Sequence, residues 1–161
     1  MKKKLILICL FLVIPIKAFS LIEVDITRGN LNPLPLAVSP LSIDENSKKS
    51  FEKILDKENI GSEISIIVEN NLRTSGLFNP LNKDAFLQAP DIANLKPRFE
   101  DWNLIKAQAL ITGKVTYVDE KLRVEFRLWD VLAGKEMMAL AFTTVPNNWR
   151  RVGHIISDKI Y

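Results

Sequence analysis

Three strand-patterned segments lie near the end of this chain, and the links between them leave little freedom. Ala109 to Val118, Leu122 to Asp130 and Glu136 to Val145 are rich in β-branched and aromatic residues. Asp119-Glu120-Lys121 and the stretch from Val131 to Lys135 join them. Links this short cannot carry a crossover, so the three strands are expected to be antiparallel neighbours in a meander. In the middle strand Val124, Phe126 and Leu128 alternate with Arg123, Glu125 and Arg127, giving one core face and one charged face. Asn147 or Asn148 is then expected to cap a last helix with Trp149, Val152, Ile155, Ile156 and Ile160 on one side. No glycine, proline or polar stop follows Ile160. An exposed apolar helix end is costly, so the chain is expected to be the front part of a longer protein.

Upstream, the clearest helix is expected from about Ile60 to Ser75. Ile60, Ile64, Ile67, Val68 and Leu72 recur at helical spacing, and Gly76 suits the left-handed C′ position. Leu36 to Leu41 is a short apolar run closed by Pro40, and Leu77 to Leu81 reads as a short strand stopped at Pro80. Ser42 to Glu58 is polar, with Phe51, Ile54 and Leu55 forming a weak stripe, and is expected to be a loop with a short surface helix. Asn82 to Pro97 is expected to be loop with one helical turn around Asp84 to Leu87. Phe99 to Ala107 is expected to be a helix that turns Phe99, Trp102, Ile105 and Lys106 to one side. Leu21 to Thr27 alternates cleanly, with Ile22, Val24 and Ile26 opposite Glu23, Asp25 and Thr27. A Gly/Asn/Pro breaker cluster separates it from the rest. Such a strand could pair with the sheet of its own domain or add to the sheet edge of a partner.

The first twenty residues read as an export signal rather than as part of the fold. Lys2, Lys3 and Lys4 precede an apolar run from Leu5 to Ile16, and Ala18 and Ser20 stand three and one residues before an expected cut after Ser20. Twelve residues span about 18 Å as a helix, short of the roughly 30 Å of a bilayer core, so cleavage is favoured over anchoring. The segment carries Lys2, Lys3, Lys4 and Lys17 of the 22 Lys+Arg. Its removal leaves 18 against 19 Asp+Glu, about −1 rather than the +3 of the full chain. The basic balance therefore belongs to the signal and gives no reason to expect a nucleic-acid partner. Cys9, the only cysteine, is lost with it, leaving no disulfide and no thiol chemistry.

The remaining residues offer little for catalysis. His154 is the only histidine and stands one position off the apolar stripe of the last helix. Without a second histidine or a cysteine, a zinc site would rest on carboxylates almost alone, so no metal and no cofactor is expected. There is no GxSxG elbow and no glycine-rich phosphate loop. Trp102 and Trp149 fall in phase with apolar helix faces and are expected in the core. Trp129 points opposite to Leu128. It would be exposed beside a cleft in a glycan- or small-molecule-binding module, or buried under a helix in a sheet covered on both faces. An exported hydrolase would need two carboxyl groups about 5 to 9 Å apart in a pocket.

Several stretches, in order, resemble the TolB family of the Tol–Pal cell-envelope system. They are Leu72-Arg73-Thr74-Ser75-Gly76-Leu77-Phe78-Asn79-Pro80-Leu81, then Ala109-Leu110-Ile111-Thr112-Gly113-Lys114-Val115. Leu128-Trp129-Asp130 with Gly134 follows, and then Trp149-Arg150-Arg151-Val152-Gly153-His154. Ile22-Glu23-Val24-Asp25-Ile26, ahead of Gly29, is similar to that family's N-terminal TolA-binding segment. The resemblance implies an α/β (α+β) fold: a mixed sheet of about five strands, ending in the antiparallel meander and flanked by helices. It implies a signal peptide over 1–20, a partner-binding arm over 21–33 and an α/β domain over 34–161 that precedes a six-bladed β-propeller. By the same resemblance the chain is a periplasmic, non-enzymatic adaptor, not membrane-inserted after cleavage. It would bind TolA through Ile22, Glu23, Val24, Asp25 and Ile26, and Pal only where the propeller is present. Ser42 to Glu58 looks longer than is usual in the family.

Overall fold

A computed structural model describes residues 32–161. The expected signal with Ala18 and Ser20, and the expected strand with Ile22, Glu23, Val24, Asp25 and Ile26, lie outside the described residues. Six strands form one mixed sheet: β1 (Leu34–Val38), β2 (Ser42–Ile43), β3 (Phe78–Pro80), β4 (Ala109–Val118), β5 (Lys121–Asp130) and β6 (Lys135–Thr144). Their order is β3-β1-β4-β5-β6, with β2 also on β4. β1 runs parallel to both β3 and β4, and β2 parallel to β4, while β4, β5 and β6 form the expected antiparallel meander. The fold is α/β, as expected, with one strand more than the roughly five read from the resemblance.

The meander matches its sequence pattern to within a residue at most ends. Asp119 and Glu120 both take positive φ (50° and 58°), so the first link is a two-residue turn and β5 begins at Lys121. This left-handed pair matches the twist of the flanking strands, although neither residue is glycine. Val124 and Phe126 are fully buried and Leu128 nearly so, while Arg123 stays exposed.

Among the described residues five helices cover the two faces: α1 (Glu45–Leu55), α2 (Ile60–Thr74), α3 (Pro90–Leu95), α4 (Phe99–Leu104) and α5 (Trp149–Ile160). On one face α1, α2 and α5 bury Phe51, Ile64, Leu72, Ile111, Phe126, Trp149 and Ile156. On the other, α3 and α4 enclose Ala37, Trp102, Leu110 and Val131. β4 is therefore buried on both sides from Ala109 to Gly113, the burial expected of a central strand under two layers.

Several expectations need correction. The loop expected over Ser42 to Glu58 holds β2 and an eleven-residue helix, and that helix reaches the core. Asp44 caps it, accepting from the backbone N–H groups of Asn46 and Ser47, and the Ser47 hydroxyl also bonds Asp44 Oδ2 at 2.6 Å. Phe51 is wholly buried and meets Tyr117 edge-on at 5.4 Å. One aromatic side chain aimed at the sheet supplies the burial that a weak apolar stripe did not suggest. In the next loop the single turn lies at Lys83–Ala85, and α3 is an additional helix opened by Pro90 at its first position. The helix expected to reach Ala107 stops at Leu104, because Lys106 adopts φ 63° and turns the chain into β4, leaving its side chain exposed. Asn148 stands at the start of α5 but makes no side-chain cap; its Nδ2 donates to Thr144 Oγ1 at 3.2 Å.

β1 and β2 both run along β4 and are separated by a bulge. Val38 stands opposite Ile111 and Ser42 opposite Lys114, so four steps on this line match three on β4. The Ser65 hydroxyl of α2 takes up the N–H freed there, and its one proton is shared between the Ser39 carbonyl and that of Gly61, 3.0 Å away. It accepts from Leu41 N–H at 3.0 Å and lies 3.1 Å from the Ser39 carbonyl oxygen. Gly61, one turn earlier, lets the helix backbone close on the same point, where an added Cβ would stand 2.1 Å from Leu41 O. Gly61→Ala is therefore expected to destabilise the domain by about 2 to 3 kcal/mol through overpacking. Ser65→Ala should cost about 1 to 3 kcal/mol by stranding the Leu41 N–H. Urea unfolding of both variants against the parent measures the two effects.

Candidate functional site

The described residues that bear most directly on the expected arm are those that hold its point of attachment. Leu34, at the start of β1, donates its N–H to Leu77 O at 2.8 Å. Gln108 N–H donates to Pro35 O at 2.9 Å, and Leu81 N–H to Leu36 O at 2.9 Å. β1 is thus clamped from both sides at its first three residues. β1 lies second in the sheet, between the edge strand β3 and the central β4.

The Leu72–Leu81 signature builds one side of this clamp. α2 ends at Thr74, and Gly76 takes φ 75°, reversing the chain into β3. Glu69, one turn before the helix end, gathers two cations: Arg73 Nη2 lies 2.6 Å from its Oε1 and Lys83 Nζ 2.8 Å from its Oε2. Burial pushes the Glu69 carboxyl up, but hydrogen bonds and charge from Lys83 and Arg73 outweigh it and hold the group below its ordinary value. The Glu69–Arg73 spacing is legible as a helical i,i+4 pair. Lys83 is not, because it arrives through the loop after β3. These groups fix how α2, β3 and the following turn meet.

The structure separates the remaining candidates. His154 is exposed, and its Nδ1 lies 2.8 Å from Asn71 Nδ2, which also reaches Ser157 Oγ at 3.1 Å. This polar contact ties α5 to α2. Ser157 Oγ in turn donates to its own helix at Gly153 O, so no nucleophile–base pair is formed. Trp102 and Trp149 are buried, as expected, and Trp102 Nε1 donates to Gln88 Oε1 at 2.7 Å. Trp129 is half-buried beside α4, edge-on to Phe99 at 5.7 Å, and its Nε1 donates to Thr112 Oγ1 at 2.9 Å. A ring held at both edges is poorly placed as a sugar platform, which counts against the glycan-binding reading.

Among the described residues carboxylates do not converge as a hydrolase would need. Glu69 and Asp84 share a shallow groove with Arg73 and Lys83, but both oxygens of Glu69 are taken. Glu125 is raised by burial and lowered further by Arg123, Lys114 and Arg127, so it too is held ionised rather than poised as an acid. Among the described residues no group of three His, Cys, Asp or Glu side chains could hold a metal ion. No helix among them is long and apolar enough to cross a membrane.

A family model described as the TolB amino-terminal domain matches residues 22–137. The chain belongs to the TolB amino-terminal domain family. The Tol-Pal system protein TolB of Pelagibacter ubique (strain HTCC1062) is 83% identical over 155 residues. That alignment covers 96% of this chain but 35% of the relative, so the chain spans about a third of that protein's length. Among solved structures, TolB from Acinetobacter baumannii superposes with a TM-score of 0.61 at 21% identity, over 80% of this chain and 27% of that one. At that identity the likeness establishes the TolB fold alone.

Within this TolB domain the Glu69 cluster gives a pH test. A carboxyl held below its ordinary value contributes stability that is fully present above the unfolded value, about pH 4.3, and is lost as pH falls through the folded one. Glu69→Gln should therefore lower stability by about 1 kcal/mol at pH 7, and the gap to the parent should narrow below about pH 4. Urea midpoints between neutral and acid pH measure it.

Proposed function

We propose that this chain is a non-enzymatic periplasmic adaptor of the Tol–Pal cell-envelope system, whose N-terminal arm binds TolA by strand addition. The observation that carries this reading is the 83% identity, across nearly the whole chain, to a protein named for that system. The arm pattern supports the mechanism. Ile22, Val24 and Ile26 enter apolar positions along the partner's sheet edge, and their backbone groups extend its ladder. Glu23 and Asp25 face a basic rim and speed encounter. The clamp on Leu34, Pro35 and Leu36 gives such an arm a rigid base from which to reach.

In this reading residues 1–20 are a signal cut after Ser20, residues 21–33 are the arm, and residues 34–161 are the α/β domain. Pal is engaged only where a propeller is present. The chain contributes to outer-membrane integrity and to envelope constriction at division through TolA. Ordering the arm's seven-residue strand, Leu21 to Thr27, consumes part of its binding free energy, so the contact is weak to moderate.

Two measurements test the proposal. Intact mass of the exported protein should place its first residue at Leu21; retention of residues 1–20 would refute the cleavage. Calorimetric titration of the chain starting at Leu21 against the periplasmic domain of TolA should detect binding that is lost when the chain starts at Leu31. Val24→Asp should weaken it by at least about tenfold, roughly 1.4 kcal/mol. Equal binding by the shortened chain would remove the arm from the mechanism.

A further inference from the structure

The two edges of the sheet are built differently. β3 closes one edge with only three residues and ends in Pro80, which has no N–H to offer. β6 closes the other with ten residues, and β5 is its only partner strand among the described residues. From Met137 to Trp149 the sequence has no charged residue, and Met137 to Phe142 is apolar throughout. Native sheets protect a long edge with charge, proline, a bulge or a covering element. On β6 the one irregularity sits near its start, opposite Leu128/Trp129, and proline appears only after its end, at Pro146.

We propose that β6 pairs antiparallel with β6 of a second copy of this chain, joining the two sheets across a twofold axis near Leu140. The strand is self-complementary in the way such an axis requires. With Leu140 opposite its own copy, Ala139 meets Ala141 and Met138 meets Phe142. Each charged end, Lys135 and Glu136, meets the uncharged Thr144 and Val145 end. On the core side Met138, Leu140 and Phe142 are only partly covered, and Leu140 remains 37% exposed. Pairing covers these side chains with those of the second copy.

Charge supports the same partner. Glu136 lies on the face that carries Arg127, with Oε2 3.2 Å from Arg127 Nε. Arg123 stands beside Thr143 on β5 of the same face. Antiparallel pairing brings Glu136 of each copy to the Thr143 end of the other, toward its Arg123. Small Ala139 and Ala141 between these charges allow the strands to approach closely. An interface centred on ten residues per copy is smaller than that of a permanent dimer, so the association is reversible and concentration-dependent. The inference goes beyond the adaptor reading and does not depend on it.

Sedimentation velocity of the purified chain from about 10 µM to about 1 mM should follow a monomer–dimer equilibrium. Ala141→Lys changes an exposed side chain and sets two like charges beside the axis, so it should be monomeric throughout, with an unchanged circular dichroism spectrum. Glu136→Arg should weaken the dimer, and adding Arg123→Glu should recover most of the loss. Three results would overturn the proposal: a parent chain that stays monomeric at the highest concentration, leaving the edge to some other strand; a dimer that survives Ala141→Lys; or growth beyond two copies, which an isologous contact forbids.

Discussion

A single hydroxyl, that of Ser65, sits where three parts of the structure meet. The line made of β1 and β2 carries one residue more than the β4 segment it follows, and the surplus leaves Leu41 N–H and Ser39 C=O without ladder partners. Ser65 accepts from the first and lies within bonding distance of the second. α2 can bring it there only because Gly61 permits backbone contact with Leu41. Below the same point, Gly113 of β4 makes room for Leu41, where an added Cβ would come within 2.9 Å of Leu41 Cδ2. The seating of α2, the course of the parallel strands β1 and β2 and the burial of Leu41 all depend on this junction.

With that junction in place, β1 lies between β3 and β4 and cannot shift without breaking bonds on both sides. The Leu72–Leu81 signature then has a structural reason. Its helix end, its glycine reversal and its short strand together form one wall of the clamp on β1. Glu69 reinforces that wall by binding a cation from its own helix and another from the loop beyond β3. The other polar groups are likewise spent on packing. Asn71 and His154 join two helices, and the nitrogen donors of Trp102 and Trp129 are spent on Gln88 and Thr112.

The asymmetry of the sheet edges gives the domain a second feature outside its core. The β3 side is short and ends in proline; the β6 side is long and, from Met137 to Phe142, apolar. A long apolar edge of that kind is a ready template for pairing with another strand. Read against its own reverse, it sets no like charges opposite one another.

Sequence by itself determined the features whose cause is local. Alternation of Val124, Phe126 and Leu128 with charged neighbours gave β5 its two faces, and short links forced the meander. The apolar spacing from Ile60 to Leu72, with Gly76 beyond, fixed the main helix almost to its ends. Motif order sufficed for the family, because residues at turns and close contacts constrain the backbone wherever they occur. Tertiary structure alone decided what depends on distant partners. Phe51 became core because Tyr117 and the sheet stand beneath α1. Trp129 became a packed residue because α4 brings Phe99 to its edge. Lys83 joined Glu69, fourteen positions earlier, only once β3 had turned back along β1. Period and end signals act over a few residues, whereas parallel pairing, bulges and two-sided burial arise when separate elements compete for the same apolar surface. A single chain's local pattern does not record the outcome of that competition.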